Sequence, residues 1–141
     1  MKKYKYVISA CLCGDNCRYD GKSKPDERAV KLWNEGEAVK VCPEQLGGLD
    51  TPRSPCEIIA GRVISQDGED KTEEYVKGAK KVLEICKEYG IKKAVLKQNS
   101  PSCASRYVYD GTFTKKLTAG KGITAKLLEE NGIDVIAEDD I

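Results

Sequence analysis

The chain has 141 residues, of which one third are charged, a formal net charge of +1 and no histidine. This length predicts one domain, residues 1–141, with a core that needs no disulfide support. The balanced charge offers no general attraction to nucleic acid, so we rank nucleic acid last among partners. The apolar run from Tyr6 to Leu12 is too short for a signal peptide or a membrane span. We therefore expect a cytoplasmic protein with no membrane partner.

Seven cysteines in such a chain call for an explanation. Their odd number and a reducing compartment argue against a disulfide framework, so metal or cluster ligation, or a reactive thiol, is the better interpretation. Without histidine, the commonest zinc ligand and the usual general base are both missing. A metal site would then be built from thiolates, which favours Cys-only zinc or iron–sulfur, and acid–base work would fall to other side chains.

The predicted elements of the first half begin with a strand at residues 4–10 and a cysteine-rich loop at 11–21. A helix follows, with Pro25 near its first position and Gly36 at its end. Residues 37–41 form a second strand, and residues 42–56 form a long loop rich in glycine and proline. Residues 57–65 resemble a hairpin.

The second half opens with the longest helix, at residues 70–89, in which Asp70 and Glu73 fit a capping pair. A strand at 91–96, a polar loop, a short extended piece at 107–113, a helix at 123–130 and a strand at 133–137 follow. This order predicts an α/β fold: a compact, single-domain open parallel sheet with helices on both faces, Rossmann-like or flavodoxin-like.

Three predicted strands are each followed by a loop that carries a cysteine: Cys11, Cys42 and Cys103. Parallel strands place their carboxyl ends on one edge, where ligands bind in such sheets. Three thiolates form an incomplete cage, and an open coordination position is typical of catalytic metal centres. The residues alone predict a thiolate-ligated catalytic centre and do not choose between zinc and iron–sulfur.

The other four cysteines are interpreted differently. Cys86 lies on the apolar stripe of a helix and is expected to be a small core residue, and Cys56 is expected to be structural. Cys13 and Cys17 lie near Cys11, but their spacing matches no standard zinc knuckle. They are expected to support the site or the fold.

Two polar residues are candidates for the chemistry. Glu44 lies two residues after Cys42 and is the best-placed acid–base group in a chain without histidine. Ser100 either donates a hydrogen bond to a substrate or closes the turn in which it lies. Gly120 and Gly122, before the last helix, either cradle a phosphate or belong to an ordinary loop.

Short motifs that together suggest a known family extend along nearly the whole chain. They are Ser9-Ala10-Cys11-Leu12 with Gly14, Cys17-Arg18-Tyr19-Asp20-Gly21, Cys42-Pro43-Glu44 with Gly47-Gly48-Leu49, Pro52-Arg53, Ser100-Pro101-Ser102-Cys103, Tyr109-Asp110-Gly111-Thr112-Phe113, and Gly120-x-Gly122 with Thr124-Ala125. In this order they resemble the thiouracil desulfurase (TudS-type) family, formerly a domain of unknown function. Two positions depart from the family pattern: Cys13 stands where an aliphatic residue is usual, and Ala104 where glycine is frequent.

The resemblance implies a [4Fe–4S] cluster held by Cys11, Cys42 and Cys103, with one open iron that binds the sulfur of a thiolated uracil. Cys17 is a possible replacement for one of these ligands. Glu44 and Ser100 would be the catalytic pair.

The implied reaction is a non-redox desulfuration, a hydrolysis of the C–S bond that gives uracil and sulfide. The implied substrates are 4-thiouracil, 2-thiouracil or 4-thiouridine monophosphate, the last a breakdown product of modified tRNA. Iron–sulfur loading machinery is the expected protein partner. The alternative from a different class is a non-catalytic thiolate metal-binding or sulfur-carrier protein.

Overall fold

The computed structural model describes residues 4–141. The elements, in chain order, are β1 (Tyr6–Ser9), α1 (Glu27–Asn34), β2 (Ala38–Val41), α2 (Pro43–Leu46), β3 (Cys56–Ile59), β4 (Arg62–Ser65), α3 (Thr72–Tyr89), β5 (Lys93–Leu96), β6 (Tyr107–Tyr109), β7 (Leu117–Ala119), α4 (Ile123–Glu130) and β8 (Asp134–Ala137). Short 3-10 turns at Ala10–Cys13 and Glu138–Asp140 follow β1 and β8.

Four strands form a parallel sheet in the order β2-β1-β5-β8. Counted among the parallel strands alone, this is the flavodoxin-like order, in which the chain starts near the centre and reverses direction across the sheet after the second strand. The reversal opens a crevice between the carboxyl ends of β1 and β5. Two antiparallel pairs, β3–β4 and β6–β7, lie outside the parallel sheet.

Alternate residues of the strands pack against different helices, as the period of two in a strand requires. On one face, Val7, Ala94 and Val135 belong to a core cluster with residues of α3 and α4. On the other face, Ile8 and Val95 belong to a cluster that includes Ala29 of α1. The prediction of a parallel sheet covered on both faces is therefore confirmed.

Helix α2 crosses α3 at very short range because glycines lie at the crossing: Gly47 at the C-cap of α2 and Gly78 within α3. A methyl group added to Gly47 would overlap the carbonyl group of Glu74, and one added to Gly78 would overlap the carbonyl oxygen of Pro43. Only glycine permits this approach of two backbones. The crossing brings the first turn of α2 beside the first turns of α3.

Several element boundaries differ from the predicted ones. Helix α1 begins at Glu27, not near Pro25, because Asp26 is the N-cap and its carboxylate accepts the N–H groups of Arg28 and Ala29. Lys71, not Asp70, is the N-cap of α3, although Asp70 accepts the N–H of Thr72.

The predicted loop at 42–56 contains α2, and β7 was not predicted at all. The hairpin at 57–65 is confirmed as β3–β4. Among residues 4–141, no helix is both long enough and apolar enough to span a bilayer.

Candidate active site

A cavity of about 350 Å³ opens at the carboxyl edge of the parallel sheet, in the crevice between β1 and β5. The ends of β1, β2 and β5 contribute to its wall, together with the β3–β4 hairpin and the loop between β6 and β7. Five cysteines line it: Cys11, Cys17, Cys42, Cys56 and Cys103. The convergence of Cys11, Cys42 and Cys103, which we predicted from the strand ends, is therefore present.

Ser9, the last residue of β1, fixes the position of Cys103. Its hydroxyl accepts the N–H of Lys97 at 2.9 Å and donates to the Cys103 sulfur at 3.6 Å. The side chain thus joins β1 to the start of the loop after β5 and to the thiol near the end of that loop. Cys103 is only 4% exposed, and burial raises its pKa to about 12.

The thiols of Cys11, Cys17 and Cys42 form a connected group. The thiol of Cys17 lies in hydrogen-bonding range of Cys11 and Cys42, and the thiol of Cys42 donates to the Cys17 carbonyl oxygen at 3.7 Å. The contact with Cys11 raises the pKa of Cys17 to about 11. The contact with Cys17, followed by burial, raises the pKa of Cys42 well above its usual range. Metal ligation would have to displace these protons, since the thiolate is the ligand.

The donor set of this cavity is chemically suited to an iron–sulfur cluster, because five of its wall residues are cysteines and the chain has no histidine. Within the described part of the chain, no three cysteine or carboxylate side chains converge tightly enough to hold a single metal ion. A cluster presents several iron atoms, so its ligands are spread more widely than those of one ion. Cys11 and Cys17 both lie in the wall, and the choice between them as the third ligand stays a prediction.

Glu44 lies in the first turn of α2, directly after Pro43. Its Oε2 accepts hydrogen bonds from Arg53 Nε at 3.1 Å, Arg53 Nη2 at 2.6 Å and the Tyr75 hydroxyl at 3.3 Å. Its Oε1 accepts from the Ser100 hydroxyl at 3.4 Å. The two predicted catalytic residues are therefore in contact, although 56 positions separate them in sequence.

Ser100 is oriented by the backbone that follows it. Its oxygen accepts the N–H groups of Ser102 at 3.0 Å and Cys103 at 3.1 Å. With two acceptor sites filled, the hydroxyl hydrogen is free to point at Glu44. Ser100 therefore closes the turn, as one of its two alternatives required, and a hydrogen bond to a substrate stays a prediction.

Arg53 and Tyr75 were not among the predicted site residues. Arg53 appeared only within a family motif, and nothing in a proline-rich loop indicates that an arginine will fold back on Glu44. Tyr75 precedes Ala79, Val82 and Cys86 on the buried stripe of α3, and this spacing was a usable signal. Burial, followed by the charge of Glu44, raises the pKa of Tyr75, so its hydroxyl stays protonated and acts as a donor.

The positions of Cys13, Cys56 and Cys86 can be compared with the roles predicted for them. Cys86 is buried in the core cluster under α3 and α4, as predicted. The thiol of Cys13 donates to the Ala29 carbonyl oxygen at 4.0 Å, toward α1. Cys56 begins β3 and lines the cavity, so it is closer to the site than we expected.

A buried carboxylate holds the loop between β6 and β7 against the cavity. Glu57 is 8% exposed, and its Oε1 accepts the N–H groups of Gly111 at 2.9 Å and Phe113 at 3.1 Å. Phe113 has a positive φ of 57°, which is uncommon for a residue with a side chain. Phe113 and Lys115 both line the cavity.

Gly122 has a packing role. A methyl group there would overlap the backbone of Ser102, and its N–H donates to the Ala104 carbonyl oxygen at 2.8 Å. Of the two alternatives for this segment, the contacts favour an ordinary loop that packs α4 against the loop carrying Cys103. Ala104 itself is fully buried, so the methyl group that departs from the family pattern is accommodated.

Comparison with known proteins agrees with this geometry. Residues 6–140 match the family described as 2-thiouracil desulfurase. The uncharacterized protein YbbK of Bacillus subtilis (strain 168) is 43% identical over 96% of this chain and 96% of its own length. A solved structure described as the [4Fe-4S]-dependent thiouracil desulfidase TudS (DUF523) is also 43% identical, superposes with a TM-score of 0.94, and covers 99% of this chain and 93% of its own. The chain therefore belongs to the 2-thiouracil desulfurase family, as its motifs indicated.

Proposed function

We propose that this protein removes sulfur from thiolated uracil by a non-redox hydrolysis of the C–S bond. The observation that carries the proposal is the contact between Glu44 and Ser100 in a cavity whose wall holds five thiols. The 43% identity to a [4Fe-4S]-dependent thiouracil desulfidase supports the same activity. In the overall reaction, water supplies the oxygen that replaces sulfur on the ring carbon, and sulfide leaves with the protons. No electrons are exchanged.

Cys11, Cys42 and Cys103 would hold a [4Fe–4S] cluster, with Cys17 as the alternative to one of them. When bound, such a cluster with one open iron supplies a Lewis acid that suits the soft sulfur of a thiocarbonyl group. These four cysteines come from three separate loops, and the hydrogen bond from Ser9 holds the Cys103 thiol in place.

Glu44 Oε1 is the proton-handling atom in this proposal. It is the oxygen that accepts from Ser100, and it would either take a proton from water or pass one to a ring nitrogen. Ser100 donates to this oxygen in the structure, and a substrate that enters would compete for the same donor. The proposed role of Ser100 is therefore to orient the reacting group.

The size and lining of the cavity support a nucleobase or a nucleotide as substrate. A volume of about 350 Å³ lies at the small end of the range for ligand pockets. Arg18, Lys97 and Lys115 contribute cationic side chains to the lining, which suits a phosphate group. We propose 4-thiouracil, 2-thiouracil and 4-thiouridine monophosphate as substrates, acted on in the cytoplasm within one domain that spans residues 1–141. Dedicated iron–sulfur loading machinery would supply the cluster.

The test is purification without air, followed by measurement of iron, acid-labile sulfide and activity on the three substrates. We expect a brown protein with about four iron atoms per chain that releases sulfide, and a Glu44→Gln variant with the same iron content and little activity. Colourless protein with a single zinc and no activity would overturn the proposal in favour of a non-catalytic thiolate metal-binding or sulfur-carrier protein.

A further inference from the structure

The contacts of Glu44 divide its two oxygens between different tasks. All three donors from Arg53 and Tyr75 go to Oε2. The hydrogen bond from Ser100, in contrast, goes to Oε1. A carboxylate without this arrangement can rotate about its last bond and exchange its two oxygens, because that torsion is broad.

Arg53 is itself held firmly. Its Nη1 donates to the Asp50 carbonyl oxygen at 3.0 Å and to Thr51 Oγ1 at 2.9 Å. Its Nη2 also donates to the Cys17 carbonyl oxygen at 3.0 Å, the same oxygen that accepts the thiol of Cys42. The guanidinium therefore links Glu44 to the loop that carries a candidate cluster ligand. The side chains of Arg53 and Glu44 are 8% and 13% exposed, so their ion pair is only weakly screened by solvent.

Tyr75 reaches the Glu44 carboxylate from helix α3. Its ring is 2% exposed at the α2–α3 crossing, and its hydroxyl reaches the carboxylate across that crossing. The tyrosine needs the short distance between the helices, which Gly47 and Gly78 permit. The two residues that donate to Oε2 therefore come from independent parts of the fold. Arg53 belongs to the proline-rich loop, and Tyr75 belongs to α3.

We infer that Arg53 and Tyr75 are positioning residues that hold Oε2 of Glu44, so that Oε1 alone faces Ser100 and the reacting group. The inference rests on the proposed function for the identity of the reaction and deepens it at the same site. Neither residue needs to contact the substrate for this role. Arg53 and Tyr75 also line the cavity. The inference predicts that conservative changes, which keep their bulk in the wall, act mainly on kcat, since a misplaced Oε1 slows proton transfer.

Tyr75→Phe and Arg53→Lys are the test variants, because they keep the buried ring and the buried charge respectively. Tyr89→Phe on the exposed end of the same helix and Arg62→Lys in a surface ion pair are the matched controls. Iron content and melting temperature are measured first for every variant, so that loss of fold is recognised.

We expect Tyr75→Phe to lower kcat by about three- to tenfold, as for one lost hydrogen bond, with KM within about twofold of the parent. Arg53→Lys loses the fork on Oε2, and we expect a decrease in kcat of about ten- to a hundredfold, since its hydrogen bonds are charge-assisted. Both controls should keep the parent kcat. Parent kcat in both test variants, or an effect confined to KM, would overturn the inference.

Crystal structures of Arg53→Lys and Tyr75→Phe give a second reading that needs no activity. We expect the Glu44 carboxylate to turn and its contact with Ser100 to lengthen or disappear in at least one of them. An unchanged contact in both would overturn the inference. If the loaded parent releases no sulfide, the proposed function has failed, and these structures still decide whether Arg53 and Tyr75 position Glu44.

Discussion

Ser100 shows how a local backbone conformation orients one hydroxyl. The turn that follows it aims two N–H groups at the same oxygen, and only the hydrogen is left to point into the cavity. Such a hydroxyl loses little entropy when a substrate arrives, because it is already oriented. The same turn places Cys103 three residues later in the wall of the site.

The Ser100→Ala variant tests this arrangement. It removes the hydroxyl and leaves two N–H groups without their acceptor, so we expect kcat to fall by about a hundredfold and the melting temperature to fall by a few degrees. Steady-state kinetics and thermal melts of loaded protein measure both. Ser105→Ala, in the same loop but outside the cavity wall, is the control and should leave kcat unchanged. Activity of Ser100→Ala equal to that of this control would contradict the orienting role.

At the residue scale, the sequence predicts Glu44 as an acid–base candidate but does not predict its neighbours. Glu44 was predictable because the position two residues after Cys42 places it at a strand end, among the cysteines. The period of α3 indicates that Tyr75 is buried. The contacts of Arg53 and Tyr75 with Glu44 were not predictable, since they depend on how a proline-rich loop folds back and how closely two helices cross. Neither the path of that loop nor the distance between the two helices can be read from a local sequence pattern.

The crossing of α2 and α3 is the element-scale feature on which the site depends. Glu44 and Tyr75 belong to different helices, and a short backbone distance is needed for their contact. Periodicity predicted α3 and α4 well, because each has a buried stripe. It missed α2, which has only four residues, and β7, whose three residues are all exposed.

Gly78→Ala is the sharpest test of the crossing. In an isolated helix this change stabilises by about 1 kcal/mol, but here the methyl group meets the carbonyl oxygen of Pro43. We expect a net loss of stability of about 1–3 kcal/mol, as for an overpacked core, together with a reduced kcat. Chemical denaturation and kinetics give the two values. Lys77→Ala, at the exposed neighbouring position, should change neither, and a stabilised Gly78→Ala protein would show that the helices separate freely.

The loop between β6 and β7 depends on Glu57 in a comparable way. Glu57→Ala removes the acceptor for Gly111 and Phe113, so we expect the loop to become mobile and KM for the thiolated base to rise by about ten- to a hundredfold, as for hydrogen bonds to a charged group. Glu57→Gln keeps one acceptor oxygen and should retain most of the affinity. If both variants bind substrate like the parent, Phe113 and Lys115 do not contribute to the binding wall.

Across the whole molecule, the parallel sheet determines where the chemistry lies. Cys11, Cys42 and Cys103 are far apart in sequence and meet because β1, β2 and β5 run in the same direction. This convergence was predictable from the alternation of strands and helices alone. The position of the cavity between β1 and β5 depends on the strand order, which no local pattern reveals.

The core also carries a pH-dependent contribution to stability. Burial raises the pKa of Cys86 from 9.0 to about 11, so the folded protein favours the neutral thiol. This contribution is complete below pH 9 and is lost as the pH rises toward about 11. We expect the free energy of unfolding of the parent to fall in this window by on the order of 2 kcal/mol more than that of Cys86→Ala. Urea titrations measure this difference. If the free energy of unfolding falls equally in the two proteins as the pH rises, Cys86 does not make this contribution.

The three strand ends that carry Cys11, Cys42 and Cys103 have a consequence for how the loaded protein is assayed. The proposed ligands are brought together only when the three strands lie side by side, so we expect cofactor retention to require the assembled sheet. The visible colour of the holoprotein would thus report on tertiary structure, and bleaching on heating should coincide with the loss of ellipticity. Colour could then serve as a screen for correctly folded variants in whole cells grown without oxygen.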